Sequence, residues 1–151
     1  MYFDDFEAGQ VYHTGSRVLS KEDIIGFASQ WDRQSFHLDE DAAKASIYGG
    51  LIASGFHTLV TTFDLIIDTG IWEKCSRGSP GFQELKWIKP VRPGDALTVE
   101  FSVVEKRPSK SRTDQGYLIW DHITRNQDGV TVMTFRSTTI ATTKAGAGIE
   151  P

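Results

Sequence analysis

Between residues 54 and 71 the apolar positions Phe56, Leu59, Val60, Phe63, Ile66, Ile67 and Ile71 recur at close to the helical period. Leu65 adds a second apolar side, and the only charges are Asp64 and Asp68. A helix apolar over most of its circumference is a buried one. At about 1.5 Å per residue it would run roughly 25 Å, enough to cross a small domain. Such a helix needs something wrapped around it, and the second half of the chain supplies it. Leu97, Val99, Phe101 and Val103 alternate with Thr98, Glu100 and Ser102, the period-two mark of a sheet with one buried face. Residues 81–88 read as the strand before it, closed by a turn over 89–95 that carries Pro90, Pro93 and Gly94. Residues 117–125 and 130–143 read as two further strands joined by the hairpin turn Asn126-Gln127-Asp128-Gly129. Between them and the preceding strand, residues 106–115 are basic and polar, an expected exposed loop.

The first half is more broken. Val11, Tyr12, Thr14 and Val18 give residues 9–19 the character of one strand. Ser20 followed by Asp23 is a variant of the capping box, and Ile24, Ile25, Phe27 and Ala28 continue it as a helix over 21–30. The run from Asp32 to His37 interrupts that pattern as a loop, Asp39 can cap a short helix over 40–46, and Gly49-Gly50 ends it. The expected architecture is α+β: one long buried helix and about five mostly antiparallel strands. Residues 1–144 form a single domain, residues 145–151 a flexible tail, and there are no internal repeats.

Composition narrows the function without choosing it. The 151 residues are 39% hydrophobic and 24% charged, those of an ordinary globular domain able to bury a core. A net charge of −4 argues against a nucleic-acid partner, which needs a concentrated basic surface. The single cysteine, Cys75, allows no internal disulfide and fits a reducing compartment. The acidic start, Met1 to Glu7, lacks the apolar core of a secretory signal, and no stretch of about 18 apolar residues could span a membrane. The expected location is the cytoplasm.

Candidate chemistry concentrates in two adjacent runs. Asp32-Arg33-Gln34-Ser35-Phe36-His37 places a carboxylate and an imidazole five residues apart. A carboxylate can orient the imidazole or a water, and a histidine near neutral pKa can shuttle the proton. The spacing alone is a weak signal and better fits a turn-capping aspartate and a surface histidine. Behind it, Gly49-Gly50-Leu51-Ile52-Ala53-Ser54-Gly55-Phe56-His57 opens the long helix, whose N-terminus offers unpaired N–H groups and a partial positive charge.

Taken with Trp31, Leu38-Asp39-Glu40 and Ala42-Ala43-Lys44, these runs resemble the MaoC-like (R)-specific enoyl-CoA hydratases and dehydratases. The later Gly81-Phe82-Gln83-Glu84-Leu85-Lys86-Trp87-Ile88-Lys89-Pro90-Val91-Arg92-Pro93-Gly94-Asp95 is similar to that family's strand and Pro-Val-x-x-Gly-Asp turn, so the resemblance runs from about residue 5 to 142. It implies the hotdog fold, an antiparallel sheet curled around the long helix, which usually dimerises into a larger continuous sheet. It implies that Asp32 and His37 are the catalytic dyad, activating water for syn addition across a trans-2-enoyl thioester or removing it in reverse. It further implies that the Gly55 backbone N–H holds the thioester oxygen. Two positions depart from the family pattern: Ser35 stands where proline is usual, and Arg33 adds a charge inside the loop. A hydroxyl that some members carry further into the core helix aligns with Phe63, leaving Thr58, Thr61 or Thr62 as substitutes.

Ser54, Phe56, Trp87, Lys89 and Arg92 are the candidate substrate contacts, Phe56 and Trp87 (with Phe63) narrowing a pocket toward short or branched chains. The basic stretch Lys106 to Arg112, with Lys89 or Arg92, could meet coenzyme A phosphates across a dimer. His13, His37, His57 and His122 show no zinc-like i, i+4 pairing with a carboxylate, so no metal is expected. His57 reads as packing and Cys75 as an inert thiol, and no Gly-x-Ser-x-Gly elbow marks a serine hydrolase. The expected protein is a homodimer or dimer of dimers acting on an acyl-CoA with no bound cofactor, since coenzyme A is part of the substrate. A hotdog acyl-CoA thioesterase and a non-catalytic acyl-thioester-binding module are the two rivals.

Overall fold

The computed structural model describes residues 1–149, so the last two residues of the expected tail lie outside the described residues. Among these residues, six antiparallel strands form one sheet: β1 (Val11–His13), β2 (Arg17–Val18), β3 (Gly81–Trp87), β4 (Ala96–Pro108), β5 (Gln115–Arg125) and β6 (Thr131–Thr142). The order is β1-β4-β5-β6-β3, with β2 also pairing to β4. The single strand expected over 9–19 is thus two short ones on the same neighbour. Between them Thr14 takes over the pairing, its N–H donating to the Val99 carbonyl while its hydroxyl accepts from the Val99 N–H. The basic stretch after residue 105 begins as strand: Lys106, Arg107 and Pro108 continue β4 and pair with Leu118, Tyr117 and Gly116.

Alternation sets the buried face. Val99, Phe101 and Val103 of β4, Leu118 and Trp120 of β5, and Met133, Phe135 and Ala141 of β6 all point into the core. Trp120, with no exposed surface, lies at its centre, with ring centroids 5.4 Å from Trp72, 5.5 Å from Phe6 and 5.6 Å from Phe101. Each such pair is worth about 0.5–1.5 kcal/mol beyond the area it buries. The N-terminal segment is therefore part of the core. Phe3 also lies so close over Gly116 that a Cβ there would come within 2.3 Å of its ring.

The helices follow their caps. In α1 (Lys21–Trp31) the Asp23 N–H donates to the Ser20 hydroxyl at 3.0 Å, and the Ser20 N–H donates back to the Asp23 carboxylate at 3.1 Å. The run expected as a loop contains one helical turn, α2 (Ser35–Leu38), and His37 sits on it. Asp39 caps α3 (Glu40–Ala45) by accepting from the Ala42 N–H at 2.7 Å. The long helix, α4 (Gly55–Asp68), is capped by Ser54 and is about 21 Å long at its 14 residues. It stops short of Ile71 because Gly70, at φ +70°, turns the chain out of the helix.

One stripe of α4 is left uncovered, although the helix is apolar over most of its circumference. Its buried face is His57, Thr58, Thr61, Thr62, Leu65 and Ile66, while Phe56, Val60, Phe63 and Ile67 are each about half exposed along one outer stripe. Of the hydroxyls on the inner face, that of Thr62 finds a partner in the sheet: it meets Thr124 of β5 at 2.8 Å, both side chains buried. Residues 145–149, expected to fray, instead close a 3-10 turn (Ala145–Ala147) under Asp114. The Gly146 N–H bonds the Thr143 hydroxyl and the Ile149 N–H the Lys144 carbonyl.

The Thr62–Thr124 bond makes a test of how helix and sheet are joined. Thr62→Val strands the Thr124 hydroxyl and should cost about 1–3 kcal/mol in urea denaturation. The double change Thr62→Val with Thr124→Val should cost less than the sum of the two single changes.

Candidate active site

Three backbone features bring the polar residues together. Asp32 ends α1, its N–H bonded to the Ala28 carbonyl, and Ser54 caps α4. The turn of α2 lies between them, held to the segment before α4 by the Ile52 N–H donating to the Phe36 carbonyl at 3.2 Å. The result is a cavity of about 420 Å³ lined by Asp32, Gln34, Phe36, His37, Tyr48, Ile52, Ala53, Gly55, Phe56, Thr58, Trp87, Ile88, Lys89, Pro90 and Val91.

His37 is buried, and its orientation is set by the backbone: Nδ1 lies 2.7 Å from the Ile52 carbonyl, an acceptor, so Nδ1 carries a proton. Nε2 then faces the Asp32 Oδ2 at 3.2 Å. A neutral imidazole so held would present a lone pair to a carboxylate. One proton placed between the two atoms satisfies both, and the pair is built to carry it. The Asp32 carboxylate takes two further bonds, from the Ser54 hydroxyl at 2.7 Å on Oδ2 and from the Gln34 amide at 2.8 Å on Oδ1. Burial by itself pushes the Asp32 carboxyl up, but the bonds from Ser54 and Gln34 and the neighbouring His37 outweigh it and hold the group below its ordinary 3.8.

Ser54 has no exposed surface and does not line the cavity. Besides donating to Asp32 it accepts the Phe56 N–H at 3.3 Å. Gly55 does line the cavity. Its N–H is the first of the helix, and no acceptor for it occurs among the described residues. Phe56, Trp87 and Lys89 line the same cavity, but Arg92 does not. The Arg92 guanidinium donates to the Tyr48 carbonyl at 2.6 Å and packs on Gly50, bracing the glycine-rich turn.

Of the three threonines, Thr58 reaches the cavity, Thr61 lies toward a separate groove with Arg17 and Asp23, and Thr62 is committed to Thr124. Phe63 points to the outer stripe, away from the site. The basic stretch lies at the other end of β4, roughly 40 Å along the strand from Lys89 and Arg92 of the same chain at ~3.3 Å per residue. Three of its cations have local partners: Lys106 bonds Glu7 over the Phe3 ring, Arg107 lies over the Tyr117 ring, and Arg112 bonds Asp114 twice.

His57 and His122 pack, while His13 is exposed on β1. His57 stacks on Phe27 at 4.5 Å, and burial lowers its pKa. His122 stacks on Phe135 at 4.2 Å and bonds Ser137 at 2.8 Å, and burial pushes it down to about 4, so it is neutral near pH 7. Burial raises the Cys75 thiol. Among the described residues no group of three or more His, Cys, Asp or Glu side chains could hold a metal, and no helix is long and apolar enough to cross a membrane.

Sequence reasoning assigned no role to Gln34, Tyr48 or Ile52. Gln34 was legible in kind, being an amide two residues from a carboxylate in a turn. Ile52 acts through its carbonyl, which leaves no mark on side-chain identity.

An antiparallel sheet curled against one long helix, with an acid–imidazole pair at that helix's N-terminus, defines a hotdog-fold protein. The chain belongs to the MaoC-like dehydratase family, whose domain model matches residues 5–120. It is 37% identical over 132 residues to YdeM of Bacillus subtilis, covering 87% of this chain and 92% of that one. The crystal structure of the MaoC-like dehydratase from Rhodospirillum rubrum superposes with a TM-score of 0.89 at 34% identity, over 95% of this chain and 97% of that one. The (R)-hydratase PhaJ1 of Pseudomonas aeruginosa, at 24% identity over 94% of this chain and 86% of its own, shares the fold with a TM-score of 0.69.

Ser54→Ala tests the hydroxyl that joins the two halves of the site. It should lower stability by about 1 kcal/mol through loss of the helix cap. It should also let the Asp32 carboxyl titrate nearer its ordinary 3.8, read by carbon-detected NMR of the side chain. Because the folded value lies below the unfolded one, the Asp32 bonds stabilise the fold above about pH 4 and lose their effect as pH falls through the folded pKa.

Proposed function

We propose that this protein is a hydratase/dehydratase that adds or removes water across the 2,3 double bond of an enoyl-CoA thioester. The observation that carries the reading is the meeting, in one cavity, of the Asp32–His37 pair and the free Gly55 N–H at the start of α4. Membership of the MaoC-like dehydratase family supports it, as does the fold shared with an (R)-hydratase.

Addition needs a proton taken from water and a proton given to carbon on the same face. With one proton shared between them, the two side chains supply both. The water oxygen bonds to C3 while one of its protons passes to the Asp32 carboxylate, held low by its bonds from Ser54 and Gln34. The double-bond electrons move toward the thioester oxygen, where the Gly55 N–H and the positive end of α4 meet the developing charge. His37 Nε2–H then delivers its proton to C2. Transfer of the Asp32 proton to Nε2 across 3.2 Å restores the starting pair. Dehydration runs the same steps in reverse. The reading invokes no cofactor, because conjugation of the alkene with the thioester activates C3. Lys89, at the rim, would meet a phosphate of coenzyme A, and Phe56 and Trp87 would flank the acyl chain.

The reading includes a homodimer. Strand β3 ends the sheet with an unpaired edge, and the outer stripe of α4 adds Phe56, Val60, Phe63 and Ile67 to the half-exposed Phe82, Trp87 and Ile88 beside it. A second copy pairing along β3 would cover both. Phe63→Glu should shift the protein toward monomers in sedimentation, with its circular dichroism retained.

Catalysis is tested by loss of the conjugated-enoyl absorbance from a panel of trans-2-enoyl-CoAs, including branched and dicarboxylic ones. Asp32→Asn and His37→Ala should each lower kcat by about 10²–10⁴, the usual weight of an acid–base group. Unchanged rates in both variants would falsify the mechanism. Free thiol released from saturated acyl-CoA would point to a thioesterase, and binding without turnover to an acyl-binding module.

A further inference from the structure

The indole of Trp87 lies against the start of α4. A Cβ built on Gly55 would fall 2.3 Å from Trp87 Cε2 and 2.5 Å from Nε1. The ring thus occupies the space of a side chain at position 55, so any residue other than glycine there would have to displace it. The same ring donates from Nε1 to the Gly55 carbonyl at 2.9 Å and meets Phe56 edge-on at 5.6 Å. Gly55 and Phe56 share a peptide plane whose oxygen is the Gly55 carbonyl and whose N–H is that of Phe56. Trp87 holds the oxygen and the Ser54 hydroxyl accepts the N–H, so the plane is clamped at both ends.

Clamping matters because the residue concerned is a glycine. Glycine has the widest conformational freedom of any residue, and at the first position of a helix it frays readily. An oxyanion donor is effective only when its N–H is already aimed where charge develops. Gly55 lines the cavity, and its N–H, in the adjoining Ser54–Gly55 peptide, has no acceptor among the described residues; fixing the Gly55–Phe56 plane removes the freedom of the glycine on that side. Trp87 comes from the edge strand β3, 32 residues later in the chain, so the bond ties sheet and helix together at the site.

We propose that Trp87 is a positioning residue, whose indole N–H holds the Gly55–Phe56 peptide so that the Gly55 N–H stays aimed at the thioester oxygen. The proposal rests on the hydratase reading. Its predicted signature is a loss in kcat with KM nearly unchanged, because a misaimed oxyanion donor weakens the transition state more than the bound ground state.

Trp87→Phe keeps an aromatic ring and removes the donor. Incorporating benzothienylalanine at position 87 keeps the bicyclic shape and exchanges only the N–H for sulfur, which covers the case of a poorly folded phenylalanine variant. Each should lower kcat for enoyl-CoA hydration about tenfold, less than the 10²–10³ seen when an oxyanion donor is removed outright. KM should stay within about twofold for the benzothienylalanine variant, which keeps the bicyclic ring beside the acyl chain. A second readout is independent of turnover. Bound trans,trans-2,4-hexadienoyl-CoA should absorb further to the red than the free thioester, because a polarised carbonyl draws electron density along the conjugated chain. The variants should reduce that displacement. Unchanged kcat together with an unchanged band in a folded variant overturns the proposal, as does a wild-type protein that binds the dienoyl thioester with no displacement of its band. If the wild type displaces the band and hydrates no enoyl-CoA, the hydratase reading fails while the comparison of bands still decides the role of Trp87.

Discussion

A single buried hydroxyl joins the Asp32–His37 pair to the start of α4. Ser54 Oγ accepts the Phe56 N–H and so starts α4, and it donates to Asp32 and so fixes the carboxylate that faces His37. A serine has one proton to give and lone pairs to accept with, and here both capacities are used inside the protein. The direction of the helix, the ionisation of Asp32 and the separation between the acid–base pair and the free Gly55 N–H are consequently one arrangement. None of the three can shift without breaking a bond to the others, and the cost of leaving buried partners unmet keeps them in register.

The glycines around that hydroxyl do different jobs. Gly49, at φ +66°, turns the chain from α3 toward α4 in a conformation other residues resist. Gly50 makes room for Arg92, whose guanidinium reaches back to the Tyr48 carbonyl, and Gly55 makes room for Trp87. Both of the last two thus face a large side chain arriving from the segment around residues 87–92, closely at Gly50 and with no room for a Cβ at Gly55. Ser35 finds a comparable explanation. It is the first residue of α2, where proline fits because the N–H has no helical partner, so its replacement by serine forfeits no hydrogen bond and leaves the turn carrying His37 intact.

The polarity of α4 follows from what covers each side. Its inner face meets a sheet that offers Thr124, and Thr62 bonds it there. The apolar stripe faces outward beside β3, the one long strand at an open edge. In the proposed homodimer this stripe and the β3 edge would be covered together. Large apolar side chains held half exposed along one helix and one adjoining strand are what a surface awaiting a partner of similar character looks like.

Much of the fold was legible in the amino-acid sequence, because the signals concerned are local. Period two along residues 97–103 needs only the pleat of a strand, the Ser20–Asp23 box only one turn of helix, and the hairpin at Asn126 to Gly129 only its own backbone. The same holds for the existence of a long helix after Gly55 and for Asp32 and His37 as candidates, since residue type and order suffice to nominate them. What the sequence could not decide was where each face of a regular element points. Helical period reported that α4 has apolar residues, and only the sheet's position determined that Phe56, Val60 and Phe63 lie outside and Thr58, Thr61 and Thr62 inside. It likewise could not separate Ser54 and Arg92, which serve the site from behind, from Trp87 and Lys89, which line it. Those assignments depend on contacts between segments tens of residues apart, and long-range contacts exist only once packing has closed the chain.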